Sequence, residues 1–399
     1  MELAKKGLSI SPSSTLAIDA KAKKMKAEGI NVIGFGVGEP DFDTPEHIKQ
    51  AAIAAIEANF TRYTPASGTL ELKQAVCNKL KRDNGLDYTP ANIVISNGAK
   101  HSLFNTFQAI CNPGDEVIIP APYWVSYLEM VKMADAVPVI VEAEEASGFK
   151  FTAQQIRQAL TDKTKAIIIN SPSNPTGMVY SREELKEIAD LAVERGLFIV
   201  SDEIYEKLIY DGYEHVSIAS FNEKIKEQTI IINGVSKTYA MTGWRIGYTA
   251  SNTAIAQVMA NMQSHATSNP NSIAQKAAEA AINGDQEIIK PMVAEFTKRR
   301  DYIVKRINSI PGLSCLTPNG AFYVLMNISK FIGKEIAGKT INGSDDFADI
   351  LLDKALVAVV AGSGFGIDTH VRLSYATSMQ NITEGLNRIE KLLSQVTLA

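Results

Sequence analysis

Lys237 stands where a lysine is unusual. The apolar run Thr229–Asn233 reads as a buried strand that delivers Gly234-Val-Ser236-Lys237 to one edge of a sheet, followed by Gly243-Trp-Arg245-Ile-Gly247. A lysine with only a solvent role belongs on an exposed face, so this position is read as functional. Three other strand ends carry residues able to do chemistry. Leu197–Val200 runs into Ser201-Asp202-Glu203-Ile204-Tyr205, which sets an acid and a phenol three positions apart. Lys165–Asn170 runs into Ser-Pro-Ser-Asn174-Pro175-Thr-Gly177, a rigid turn presenting one side-chain amide. Ile93–Ser96 leads to Asn97-Gly98-Ala99-Lys100 and an apolar helix, whose free first-turn amides suit a phosphate or a carboxylate. Singly, Asp202 is better explained as a helix cap, and turn chemistry alone can explain Asn174. Together they fall at the carboxyl ends of strands, where open α/β sheets bind ligands.

The elements that must position these residues are legible between about 90 and 250. Short runs rich in Ile and Val, at Ile93–Ser96, Glu116–Pro120, Val137–Val141, Lys165–Asn170, Leu197–Ser201, Thr229–Asn233 and Gly247–Ala250, alternate with longer amphipathic stretches. Runs without in/out alternation predict a mostly parallel sheet covered on both faces by crossover helices. The segment after Ser181 predicts one such helix: a Ser cap with Glu184 three residues on, Leu185, Ile188, Ala189 and Ala192 on one face, and a stop at Gly196. After about 288 the rhythm changes to a long charged helix (Pro291–Asn308), a strand (Ala321–Met326), a helix (Ser344–Leu356), two short strands and a final helix from about Gln380. The expected fold class is α/β, with a large domain over 48–288 built on a mostly parallel central sheet flanked by helices, and a smaller α+β domain over 289–399. Residues 1–47 are expected to form an N-terminal arm and part of the small domain.

Composition narrows the function classes. Forty Lys and Arg against 44 Asp and Glu leave a net charge of −4 over 399 residues, without the basic excess that nucleic-acid binding needs. Cys77, Cys111 and Cys315 form neither a CxxC pair nor a disulfide framework, which suits a reducing compartment. No signal-like or membrane-length apolar run occurs, so a cytoplasmic protein is expected. Gly333-Lys-Glu-Ile-Ala-Gly338-Lys339-Thr340 fits the phosphate-loop pattern by letter, but Asn342-Gly343 breaks the chain where the required helix should open, so nucleotide binding is not expected. The glycines at 34, 36, 38 and at 362, 364, 366 are spaced GxGxG, not as a dinucleotide fingerprint. His47, His101, His215, His265 and His370 lack metal-ligand spacing, and Met259 and Met262 read as packing residues.

SPSNPTG, SDEIY and SKTYAMTGWRIGY, in that order, resemble the fold-type I pyridoxal-phosphate aminotransferases. GEPDFDTP (38–45), RYTPASG (62–68), PAPYWVSY (120–127), NGAFYVLM (319–326) and VRLSYATS (371–378) extend the resemblance over nearly the whole chain, and together they are similar to the bacterial-type aspartate aminotransferase subgroup. The resemblance implies pyridoxal 5′-phosphate as cofactor, with Lys237 as the Schiff-base and proton-shuttling lysine. It implies Asp202 on the pyridinium nitrogen, Tyr205 and Asn174 on the ring oxygen, and Trp124 stacked on the ring. It places the phosphate on Gly98, Ala99 and Lys100 with Ser236 and Arg245, and Tyr63 on the phosphate of the neighbouring subunit of a homodimer with shared active sites. Arg372 would hold the substrate α-carboxylate, helped by Asn174 and the backbone of Gly38.

Two departures from animal-type relatives bear on substrate choice. No arginine occurs between Arg245 and Arg299 to hold a distal carboxylate, a task the resemblance moves to Lys100 and Thr15. The histidine those relatives place behind the pyridine-binding acid falls near Tyr127. The activity implied is transfer of an amino group between aspartate and 2-oxoglutarate in two half-reactions, on small amino acid and 2-oxo acid substrates. Rival readings are a prephenate (arogenate-forming) or aromatic aminotransferase with the same site, and a non-catalytic pyridoxal-phosphate-binding regulator. No basic helix-turn-helix-sized extension precedes residue 30 or follows residue 390 to support the regulator.

Overall fold

The structure, a computed structural model, describes residues 2–397. Its centre is a seven-stranded sheet of β1 (Ile93–Ser96), β2 (Glu116–Ala121), β3 (Val137–Glu142), β4 (Thr164–Asn170), β5 (Phe198–Asp202), β6 (Thr229–Gly234) and β7 (Gly247–Ala250), in the order β1-β7-β6-β5-β4-β2-β3. Each of the seven strands expected between 90 and 250 is present to within a residue at either end, whereas the strand expected over Ala321–Met326 runs from Tyr323 to Asn327. The sheet is parallel except for β7, which runs antiparallel to both β1 and β6.

Both faces of the sheet are covered, which is why the strand sequences show no alternation. Ile168, Val200, Ile230 and Ile232 pack on one side with Leu103, Phe107 and Met259 of the helices Ala99–Ile110 and Thr253–Ala266. Ile167, Ile169 and Ile199 pack on the other side with Leu185, Ile188 and Ala192 of the helix Arg182–Arg195. Each such isoleucine contributes about 1.5–3 kcal/mol relative to an exposed one. The helix Arg182–Arg195 carries the expected reciprocal cap between Ser181 and Glu184, and it ends at Gly196 in the left-handed conformation (φ 65°).

Register explains why four loops reach one edge. Asn170 at the end of β4 lies opposite Asp202 at the end of β5. Gly247, the first residue of the reversed strand β7, pairs with both Gly234 of β6 and Ser96 of β1. Reversal of β7 therefore brings its amino end, and Arg245 just before it, to the edge where the parallel strands finish. Gly247 is required there because a Cβ would strike the Ala99 amide.

A second, four-stranded antiparallel sheet is formed by β8 (Ser314–Cys315), β9 (Tyr323–Asn327), β10 (Val360–Ala361) and β11 (His370–Ser374), in the order β10-β11-β9-β8. Arg372 on β11 lies opposite Leu325 of β9 and Val360 of β10, so its backbone is fixed from both sides. The helices Lys290–Ser309 and Met379–Leu393 pack with this sheet, and Ile33–Gly34 pairs in parallel with Val357–Ala358. The helix expected over Ser344–Leu356 is α-helical only to Ile350; it widens to a π turn over Leu351–Ala355 and stops at Leu356, whose φ of 55° cannot continue a right-handed helix. Three short strands follow it rather than two, because Val359 interrupts the run Val357–Ala361. The phosphate-loop look-alike is a hairpin in which Glu335–Ile336 pairs antiparallel with Lys339–Thr340, and the next helix opens only at Ser344.

Candidate active site

At the carboxyl edge of the large sheet lies a cavity of about 340 Å³, within the size range of small-molecule sites. It is lined by residues from all four strand ends, from β9 and β11, and from the start of the helix Ser14–Ala27. Of the residues expected from sequence, Thr15, Gly38, Ala99, Lys100, Trp124, Asn174, Asp202, Tyr205, Ser236, Lys237, Arg245 and Arg372 line it. Gly98 borders it: φ is 85°, and a Cβ there would lie 2.5 Å from Nη2 of Arg245. Tyr63 lies outside the cavity and is 90% exposed.

Lys237 and Asp202 are both removed from water, and burial moves their pKa values toward each other. Burial pulls the Lys237 ammonium down to about 8, with Glu39 acting in the opposite direction. Burial pushes the Asp202 carboxyl up to about 6, opposed chiefly by a hydrogen bond from Tyr127. Asp202 is therefore mostly anionic at neutral pH and half protonated near pH 6, while Lys237 gains a substantial neutral fraction as pH rises toward 8. The amine donates to the carbonyl of Gly38.

Tyr127 occupies the place behind Asp202. Its hydroxyl donates to Asp202 Oδ2 at 2.6 Å, and the Ile204 amide donates to Oδ1 at 3.2 Å. Tyr127 is fully buried, its ring edge-on to Trp124 at 5.4 Å between centroids. Burial and the neighbouring carboxylate hold its phenol well above the usual range, so it remains a donor.

Arg372 is 2% exposed and has no acidic partner among the described residues. Nη1 donates to Asn174 Oδ1 at 2.9 Å and Nη2 to the carbonyl of Gly36 at 2.8 Å, while buried Nε has no partner. Asn174 is itself held by its amide, which donates to Asn170 Oδ1 at 2.8 Å. A buried guanidinium without an anion, and with a donor to spare, is an incomplete carboxylate site.

On the far side of the cavity the amides of Ala99 and Lys100, the first turn of Ala99–Ile110, make no hydrogen bond among the described residues. Arg245 is fixed beside them by its bonds to the carbonyls of Thr242 (3.0 Å) and Asn97 (3.3 Å). Helix amides with an arginine form an anion cradle. The Lys100 ammonium lies 4.9 Å from the Trp124 ring centroid, and burial together with Arg245 lowers its pKa. Thr15 shares a hydrogen bond with Ser13, Oγ1 to Oγ 2.9 Å.

The cavity thus presents an anion cradle, a lysine of lowered pKa, a buried carboxylate and a carboxylate-ready arginine. This donor set fits pyridoxal 5′-phosphate with an amino acid beside it. Sequence reasoning did not assign Tyr323, Asn170 and Thr242, which also line the cavity. Asn170, a polar residue closing an apolar strand, carried the same signal as Lys237; Tyr323 carried none, since an aromatic in a buried strand reads as core. Glu203, Glu206 and His215 bring ligand-type atoms within 4.8 Å of one another. The protein itself satisfies the two acids: Ser201 and Ser217 donate to Glu203, and Lys79 pairs with Glu206.

Comparison with known proteins agrees with this geometry. Residues 30–389 match the family model described as aminotransferase class I and II. The chain is 53% identical to an aspartate aminotransferase of Bacillus sp. strain YM-2, covering 98% of this chain and 99% of the relative. It is 48% identical to an aspartate/prephenate aminotransferase of Nitrosomonas europaea, covering 99% and 100%. The crystal structure of the aspartate aminotransferase from Rhizobium meliloti superposes with a TM-score of 0.96 at 43% identity, over the full length of both chains. On this family match and these full-length likenesses, the chain belongs to the class I and II aminotransferases.

Proposed function

We propose that this protein binds pyridoxal 5′-phosphate in the cavity and transfers the amino group of L-aspartate to 2-oxoglutarate, releasing oxaloacetate and L-glutamate. The observation that carries the reading is buried Arg372, with Nε unpartnered, lining the same cavity as Lys237. Bound there, the cofactor supplies an electron sink for the pair released at the substrate Cα. The backbone amides of Ala99 and Lys100, with Ser236 and Arg245, would hold its phosphate, with Gly98 keeping the approach open. Asp202, anionic at neutral pH and fixed by Tyr127, holds the ring nitrogen in its protonated form. Tyr205 and Asn174 hydrogen-bond the ring oxygen, and Trp124 covers the ring face. Lys237 would anchor the cofactor through its amine and, once the substrate's amino group has displaced it, would carry the proton that leaves the substrate Cα. Arg372 orients the amino acid by its α-carboxylate, with Asn174 and the Gly38 backbone. The second relative's name gives a prephenate reading of the same site, which a panel of oxo acids separates from the first. The test of the reading is a half-reaction: aspartate added alone to the holoenzyme should discharge the cofactor's visible absorbance, and 2-oxoglutarate should restore it. Absence of that cycle with aspartate and glutamate alike would overturn it.

The distal carboxylate is assigned to Lys100, with Thr15 as hydroxyl donor on the N-terminal helix. Lys100 lines the cavity with its charge unpaired by any acid among the described residues. The N-terminal segment and the 289–399 region would close over the 48–288 region when a dicarboxylate draws both sides inward, excluding water from the proton transfer. Lys100→Met is expected to raise KM for aspartate and glutamate by about tenfold or more while changing that for alanine or phenylalanine little, because only dicarboxylates lose an ion pair. Equal loss for every donor, with easier release of the cofactor, would make Lys100 a phosphate ligand instead.

The working unit is a homodimer in which Tyr63, 90% exposed on one chain, completes the phosphate site of the other; the protein acts in the cytoplasm on small molecules. Among the described residues no helix is long and apolar enough to cross a membrane. Mixing Tyr63→Phe with Lys237→Ala subunits should restore activity after exchange, since both defects fall in one composite site and leave the other intact. Failure despite verified exchange would place Tyr63 in its own chain's site.

A further inference from the structure

Tyr323 opens β9, and it meets Tyr205, which follows β5 by three residues, across 118 positions of sequence. The two hydroxyl oxygens are 2.8 Å apart, either able to donate, and the rings cross edge to face at 5.8 Å between centroids. Both side chains are buried, at 4% and 1% exposure. The face of the Tyr323 ring lies 4.5 Å from the Arg372 guanidinium. Its hydroxyl stands 2.8 Å from where a Cβ on Gly38 would be, so the absence of a side chain at Gly38 makes room for it.

We infer that Tyr323 is a positioning residue with two tasks: its hydroxyl donates to Tyr205 and so directs the Tyr205 proton into the cavity, and its ring holds the Arg372 fork. This rests on the reading of Tyr205 as a donor to the cofactor's ring oxygen. A phenol has one proton and two lone pairs. Among the described residues the Tyr323 hydroxyl has Tyr205 as its only hydrogen-bond partner. If Tyr205 donates to Tyr323, the Tyr205 proton is spent, the ring oxygen is left without that donor, and the Tyr323 proton has no acceptor among the described residues. If Tyr323 donates, both protons are used once an acceptor enters the cavity, and Tyr205 becomes the stronger donor because its oxygen is already polarised. The ring acts on a different problem. Arg372 is a buried cation without an acid beside it, and the ring faces of Tyr323 and Phe365, at 4.5 and 5.0 Å, supply attraction before a substrate carboxylate arrives.

Two substitutions separate these tasks. Tyr323→Phe keeps the ring and removes the hydroxyl. In substrate-free holoenzyme, the pH midpoint of the cofactor's visible absorbance should rise by roughly half a pH unit, because a weaker Tyr205 donor leaves more negative charge on the ring oxygen to hold the neighbouring proton. KM for aspartate should change less than about twofold in that variant, since the ring face remains. Tyr323→Leu also removes the ring, and KM for aspartate should rise about tenfold. Tyr205→Phe serves as the control. If Tyr205→Phe moves the midpoint and Tyr323→Phe does not, the hydroxyl task is overturned. If neither moves it, the reading of Tyr205 itself fails. An unchanged KM in Tyr323→Leu overturns the ring task.

Discussion

Lys237→Ala should lower turnover by at least about 10⁴-fold, since it removes the amine proposed as both the covalent attachment and the proton carrier. The physical basis is that burial brings the ammonium down to about 8, within reach of the neutral form that attack and proton abstraction require. An alanine offers neither, and no other amine has been placed to do so: Lys100, also in the cavity, lies over Trp124 beside the anion cradle. The same variant should still bind the cofactor, non-covalently, because the phosphate is assigned to the first turn of Ala99–Ile110, Ser236 and Arg245 and not to Lys237. Borohydride reduction of the parent protein followed by peptide mapping checks the assignment. Label on Lys100 or any other lysine would move the catalytic amine elsewhere.

Arg372→Lys should lower kcat/KM for amino donors by about 10²–10³-fold, and by the same factor for aspartate and alanine. Both substrates carry the α-carboxylate that Arg372 is assigned to hold, so charge at the distal end does not enter. The guanidinium has two of its nitrogens committed, to Asn174 and to the Gly36 carbonyl, and still keeps buried Nε free. A lysine places its charge at a single point and cannot hold the protein acceptors and a carboxylate in one plane. It would also abandon the acceptor oxygen of buried Asn174, at a further cost. The spectrum of the substrate-free cofactor should stay close to that of the parent, which separates this lesion from damage to the cofactor site. A loss confined to aspartate and glutamate would assign Arg372 to the distal carboxylate and reverse the roles of Arg372 and Lys100.

The contrast between Lys100→Met and Arg372→Lys gives the substrate model its sharpest check. One should discriminate between dicarboxylic and neutral donors, and the other should not. Together they locate the two ends of the substrate without a bound ligand.

What the sequence determined by itself is local. A strand that is apolar throughout must be buried on both faces, and the residue that follows it must emerge at the sheet's edge, so Lys237, Asp202, Asn174 and the 97–100 turn could be assigned to one edge from spacing alone. Caps follow the same logic, since Ser181 and Glu184 need only each other and one turn of backbone. The tertiary structure decided which distant polar groups meet. Tyr127 reaches Asp202 across 75 residues, Tyr323 reaches Tyr205 across 118, and Arg372 reaches Gly36 across 336. In sequence, Tyr323 is one more aromatic in an apolar strand, which hydrophobic burial alone explains, and Tyr127 stands near Asp202 only by resemblance, with nothing in its own segment to name its partner. A buried hydroxyl must find a partner, but its choice of partner depends on sheet order and on the reversal of β7, neither of which is encoded within a short window. The strand positions were therefore readable one segment at a time, whereas the ionisation of Asp202, the free donor on Arg372 and the pairing of the two tyrosines existed only after the segments had packed.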